Sequence, residues 1–190
     1  MAMSGDRQGV RRGRSRAKPL DASRLEELAL TYVARFATSA AKLERYLARK
    51  VRERGWEGET EPQFTAIVER CVELGYVDDA AFARARAGSL LRRGYGPRRI
   101  GQALGQAGIG EEVREETRPS EAAERRAALA LARKRRFGPF GREPYDRERR
   151  EKQLAAMLRA GHRLDTAREI VDAASEEAAE SWAAEIEEEA

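Results

Sequence analysis

Three helix ends of one design recur in this chain at intervals of about 53 residues. Val51-Arg52-Glu53-Arg54-Gly55-Trp56, Leu104-Gly105-Gln106-Ala107-Gly108-Ile109 and Met157-Leu158-Arg159-Ala160-Gly161-His162 each place an apolar residue four positions before a closing glycine. A larger residue follows each glycine directly. Glycine ends helices because it enters the left-handed region without steric cost. An end that repeats at a fixed interval predicts stacked helical units, each completing its core against its neighbours. Composition agrees: of 190 residues 37% are charged and 41% hydrophobic, with alanine rather than valine or isoleucine carrying the apolar share. Ala, Leu, Arg, Glu, Lys and Gln favour helix, whereas the β-branched residues that favour strands are scarce. The expected fold is all-α, three tandem three-helix repeats forming an elongated, curved array.

Residues 1–19 lack periodicity and are rich in Gly, Ser and Arg, which predicts a disordered basic tail. Residues 20–77 read as the first repeat. Its first helix carries Leu25, Leu28, Ala29, Tyr32, Val33 and Phe36, its second is capped at Thr38-Ser39, and its third opens at Thr60-Glu61-Pro62. Residues 78–119 restart the cycle, with Asp78 or Asp79 as the cap, Pro97 in the first turn of the next helix, and a short segment from Glu111 to Thr117. Residues 120–175 form a divergent third repeat, opened by Ser120 and interrupted by Phe137-Gly138-Pro139-Phe140-Gly141, with helices expected from Tyr145 to Ala160 and from Asp165. Residues 176–190 read as an acidic tail, continuing as a frayed helix around Trp182 and Ile186.

One cysteine and one histidine exclude an internal disulfide framework and a zinc site of four Cys/His ligands. Cys71 lies in an apolar helical stretch and reads as a buried small residue, and His162 reads as a helix-end residue. With no catalytic constellation, neither an enzyme nor a cofactor is expected. No run of about 18 apolar residues and no signal-peptide pattern is present, which predicts a cytoplasmic protein without membrane contact, expected to be a monomer.

Charge is distributed unevenly. Arg7, Arg11, Arg12, Arg14, Arg16 and Lys18 crowd the first residues, Arg168 is the last basic residue, and the chain beyond it is acidic. Such polarity points to macromolecular partners rather than a small-molecule pocket.

The densest signal lies between Leu74 and Ile109, where two polar turns join short amphipathic segments. Arg92, Arg93, Arg98 and Arg99 surround Tyr95, which reads as exposed, and Arg84 and Arg86 precede them on the same helix. Arg133, Lys134, Arg135 and Arg136, next to Phe137, form a second basic run. Arginines at helix ends are often no more than solvated dipole partners. As a cluster they fit an acidic protein groove or a phosphate backbone, read through charge that salt weakens.

The blocks Leu74-Gly75-Tyr76-Val77-Asp78-Asp79-Ala80-Ala81-Phe82-Ala83, Leu91-Arg92-Arg93-Gly94-Tyr95-Gly96-Pro97-Arg98-Arg99-Ile100 and Gly108-Ile109 closely resemble, in residues and in spacing, the signature of the bacterial RecX regulatory family. The resemblance extends from about Leu25 to Val171. It implies a protein that binds the filament of RecA, the recombinase that polymerises on single-stranded DNA, and modulates, chiefly by inhibition, its strand exchange and ATP hydrolysis. Recombination, DNA repair and the SOS response would then be under its influence. The two basic runs with Tyr95 are the expected contact with the RecA filament, with weak electrostatic contact to single- or double-stranded DNA. Departures from the family's pattern are Gly101 and Gly105 in the second helix of the second unit, and the Gly/Pro break in the third. The alternative is a basic helical nucleic-acid-binding protein acting without RecA, favoured by a sequence pI near 9.4 and opposed by the lack of a recognised base-reading module.

Overall fold

The computed structural model describes residues 18–141 and 146–186. The basic head through residue 17, the expected helix start at Tyr145 and the last four residues of the acidic tail lie outside them. Among the described residues there are ten α-helices and no strand, and their apolar side chains gather into three separate cores.

The first unit consists of α1 (Ala22–Val33), α2 (Ala40–Arg54) and α3 (Phe64–Glu73). Asp21 and Ser39 cap α1 and α2 by accepting the amides of Arg24 and Lys42, satisfying donors that the first turn leaves free. Leu25, Leu43, Leu47, Val68 and Cys71 close the core, and burial raises the Cys71 thiol pKa. Two boundaries differ from the sequence reading. Helix α1 stops at Val33, so Phe36 leaves the core face and is 57% exposed. Helix α3 starts at Phe64 behind Gln63, so Pro62 lies ahead of the first turn rather than within it.

The second unit holds α4 (Asp79–Arg92), α5 (Pro97–Gln106) and α6 (Glu111–Glu116). Asp78 is the N-cap of α4, its carboxylate accepting the Ala81 amide at 2.8 Å. Ala83, Ala87, Leu90, Ile100, Leu104 and Ile109 fill this core. Small residues on the buried face of α4 let α5 approach closely, and Leu104 in its fully buried site contributes about 2 kcal/mol.

The third unit comprises α7 (Glu121–Arg135), α8 (Arg147–Ala160), α9 (Leu164–Val171) and α10 (Glu176–Ala184). The Gly/Pro break forms a single 3-10 turn, Gly138–Phe140, fastened where the Gly138 amide donates to the buried Gln153 side chain at 2.7 Å. Helix α9 begins at Leu164, one residue before the Asp165 start read from sequence. The acidic segment differs most from expectation. Ala179 and Ala183 are buried in the third core, the guanidinium of Arg125 lies 4.3 Å from the centre of the Trp182 ring, and Arg133 pairs with Glu180. Residues 176–184 are therefore a packed fourth helix. A short Ala/Trp stripe suffices because arginines on α7 neutralise its acidic flank.

The units are chained by one joint, used twice. At the first, the Ser39 hydroxyl donates to the Ala107 carbonyl at 2.6 Å and Arg45 donates to the Gln106 carbonyl at 3.0 Å. Asp79, the other candidate cap, instead accepts the Ala40 amide at 2.8 Å. At the second, the Gly96 amide donates to the Ala160 carbonyl at 3.0 Å and the Arg98 guanidinium to the Leu158 carbonyl at 2.6 Å. Ser39 and Gly96 are both N-caps, and Ala107 and Ala160 both precede a closing glycine. The N-terminus of each unit's second helix thus meets the C-terminus of the next unit's second helix, which aligns their dipoles head to tail. At the free end of α2, Gly55 is covered by the chain itself: Leu20 donates to the Gly55 carbonyl at 2.9 Å and accepts from the Glu57 amide at 2.9 Å, while Arg54 holds the Lys18 carbonyl. Lys18 and Pro19, read from sequence as part of the tail, therefore lie against the first unit, their carbonyls accepting from Arg54 and Arg24.

Candidate partner-binding surface

The turn between α4 and α5 owes its shape to two glycines. Gly94 has φ +81°, and a Cβ on it would stand 2.9 Å from the Leu131 side chain of α7. A Cβ on Gly96 would stand 2.5 Å from the backbone of Gly161. Pro97 then occupies the first helical position, where its missing N–H costs nothing. The turn is wedged between α7 and the end of α8, and for that reason Tyr95 is half-buried rather than fully exposed. The Arg93 guanidinium lies 5.6 Å from its ring centre.

The expected site residues are dispersed by the fold. Arg93, Tyr95, Lys134 and Arg135 come together, with Arg159 and Phe137, around a cleft of about 270 Å³ at the joint of the second and third units. Arg86, about two turns earlier on α4, lines instead a larger cleft, about 780 Å³, at the joint of the first and second units. Arg98 is committed to the Leu158 carbonyl, and Arg99 packs its backbone against Gly161. Arg133 pairs with Glu180 and lies over Phe140, and Arg136 ends α7 with φ +56°, a positive value for a residue other than glycine. Arg84 and Arg92 are exposed and line neither cleft.

The larger cleft was not anticipated. Its cationic wall is Lys42, Arg45, Arg49 and Arg52 of α2, facing Arg86 of α4, with Tyr32, Tyr46 and Phe82 between them. A signal existed in the sequence: those four residues follow one another by three, four and three positions, which puts them on one helical face. No carboxylate lines either cleft among the described residues. Glu53 stands beside the larger one, 2.6 Å from Lys50 and 3.7 Å from Arg49.

Among the described residues no group of His, Cys, Asp and Glu could hold a metal ion, and no helix is long and apolar enough to cross a membrane. Three cores in series, joined by a repeated docking of helix ends and flanked by cationic clefts, define a helical-repeat protein that presents side chains along a surface. Residues 78–117, which span α4 to α6 and the turn just described, match the family description "RecX, second three-helix domain". The chain is 34% identical over 180 residues to the regulatory protein RecX of Myxococcus xanthus, covering 90% of this chain and 96% of that protein. It is 33% identical over 134 residues to the regulatory protein RecX of Halorhodospira halophila, covering 70% and 80% respectively. The crystal structure of RecX from Lactobacillus salivarius shares the fold, with a TM-score of 0.62 over 79% of this chain and 96% of that one, at 20% identity. The chain belongs to the RecX family of regulatory proteins.

Proposed function

We propose that the protein binds the RecA filament on single-stranded DNA and restrains its ATPase and strand-exchange activities, and through them recombination and DNA repair. Membership of a family of regulatory proteins supports this reading. The observation that carries it is that Arg84 and Arg92 on α4 and Arg93 at its end stay exposed, while Arg98 is consumed by the joint. An array of small units suits a helical polymer, because successive units can meet successive protomers and weak contacts reinforce one another through effective concentration.

The test is a single-stranded-DNA-dependent RecA ATPase assay with the full chain titrated in. Turnover should fall with added protein, and replacing both Arg84 and Arg92 by glutamate should weaken the effect roughly tenfold at unchanged helicity, more steeply at low salt. Arg98 and Arg99 make poor probes, since altering them disturbs a joint. Unchanged turnover at excess protein would refute the proposal.

A further inference from the structure

The first helices of the three units can be laid over one another from their caps, since Asp21, Asp78 and Ser120 each accept the amide three residues on. In that register Leu30, Ala87 and Leu129 are equivalent. Ala87 and Leu129 are buried, 4% and 9% exposed, whereas Leu30 is 49% exposed. In the third unit the cover is α10. Arg125, Leu129 and Arg133 follow one another at helical spacing and so form one row of α7. Arg125 donates to the Trp182 carbonyl at 2.9 Å, Arg133 pairs with Glu180, and Leu129 shares a core with Ala179 and Ala183. The same row of α1 reads Glu26, Leu30 and Ala34, and all three are exposed.

The bare row belongs to a larger apolar surface. Leu30, Val33 and Ala34 line, with Tyr76, a hollow of about 450 Å³. Of the large apolar side chains left exposed among the described residues, Leu30, Phe36, Val72, Leu74 and Tyr76 all belong to the first unit, and Leu164 alone lies elsewhere. Apolar surface concentrated in this way marks a contact with another macromolecule.

Charge identifies the occupant. On α7 both ends of the row are cationic, and α10 answers them with acid. On α1 the ends differ in sign: Glu26 lies about 6 Å before Leu30 along the axis, and Arg35 about 7.5 Å beyond it. Arg24, nearer the start of α1, is taken up by Asp21 and Glu57. A partner helix of one sign satisfies one end of this row and opposes the other. A second α1 laid antiparallel across Leu30 satisfies both, because each Glu26 comes level with the end of its neighbour that carries Arg35. Antiparallel is also how α10 lies on α7, where Arg125 near the start meets Trp182 and Glu185 while Arg133 near the end meets Glu180.

We infer that the protein forms a twofold-symmetric dimer through α1, in which Leu30 packs against Leu30 of a second copy and fills the hollow beside its Tyr76. The monomer expected from sequence is then the dilute form. Such a contact uses one patch twice and closes at two copies. The inference does not rest on the RecA reading, and its test contains no RecA.

Sedimentation velocity of the full chain at stepped concentrations measures it. The mass should rise from 21.3 kDa toward twice that value as concentration increases. Leu30→Glu changes an exposed position, so the urea midpoint should hold while association weakens at least about a hundredfold. Glu26→Arg and Arg35→Glu should each weaken association about fivefold, because each sets like charges against one another across the twofold axis. The two together restore opposite charges and should return association to within about twofold of the parent, a rescue that only the antiparallel pairing provides. A monomeric mass at every concentration, association untouched by Leu30→Glu, growth past two copies, or a double variant no tighter than the single ones would each overturn the inference.

Discussion

Gly161 and Arg99 are in backbone contact across two units: a Cβ on Gly161 would stand 2.5 Å from the Arg99 amide nitrogen. Gly108 stands in the same relation to the first unit, where a Cβ would meet that of Ala41 at 2.3 Å. Both glycines also hold φ near the left-handed region, +98° and +80°. Gly161→Ala and Gly108→Ala should each cost about 2–4 kcal/mol, combining overpacking with backbone strain, as measured by urea denaturation.

Gly101 provides the opposite case. It lies inside α5, has an ordinary helical φ, and a Cβ there would meet nothing within 4 Å. Gly101→Ala should raise stability by up to about 1 kcal/mol in the same assay.

Arg136 is the non-glycine residue with positive φ among those described, ending α7 where glycine is usual. Arg136→Gly should relieve this and stabilise the chain by about 1 kcal/mol, read from the shift in urea midpoint.

Ser39 serves twice, accepting the Lys42 amide to cap α2 and donating to Ala107 across the first joint. Ser39→Ala removes both contacts at a fully buried position and should cost about 2 kcal/mol. Ser39→Gly imitates the Gly96 of the second joint, and its smaller loss separates the capping contribution from the crossing bond.

His162 is buried between the second and third units, with Nε2 hydrogen-bonded to the Gly94 carbonyl at 3.0 Å and Nδ1 buried without a protein partner. Burial lowers its pKa, and the bond to Gly94 opposes the shift only in part. The folded chain therefore binds the His162 proton less readily than the unfolded chain. Its contribution is fully present above the ordinary histidine pKa of about 6.5 and is lost as pH falls through and below that value. Urea midpoints should drop between about pH 7 and pH 5, and the drop should be smaller in His162→Ile, which supplies the residue found at the matching position, Ile109.

The sequence carried the repeat clearly because its marks are local. Leu104 and Met157, four residues before their glycines, are both fully buried, and Asp78, Ser39 and Ser120 cap helices where short polar side chains precede apolar periodicity. What it left unread was how one unit meets the next. His162 looks like any helix-end residue until Gly94, 68 residues away, is set beside it. Arg98 and Arg93 are near neighbours in an arginine-rich turn, yet one closes a joint and the other borders a cleft. The same long-range assembly divided the arginine cluster and brought Arg86 to face α2, a helix whose basic stripe is regular but whose partner is named nowhere nearby in the chain.

The strap from Lys18 to Leu20 has a consequence for how molecules of this kind can associate. Gly108 and Gly161 are each sockets filled by the preceding unit, and an uncovered Gly55 would offer the same socket to a second molecule, a head-to-tail contact that never closes on itself and so grows into fibres. Because Leu20 is bonded on both sides across that position, the socket is already plugged. The chain thereby covers the exposed helix end of its own first unit with its own backbone.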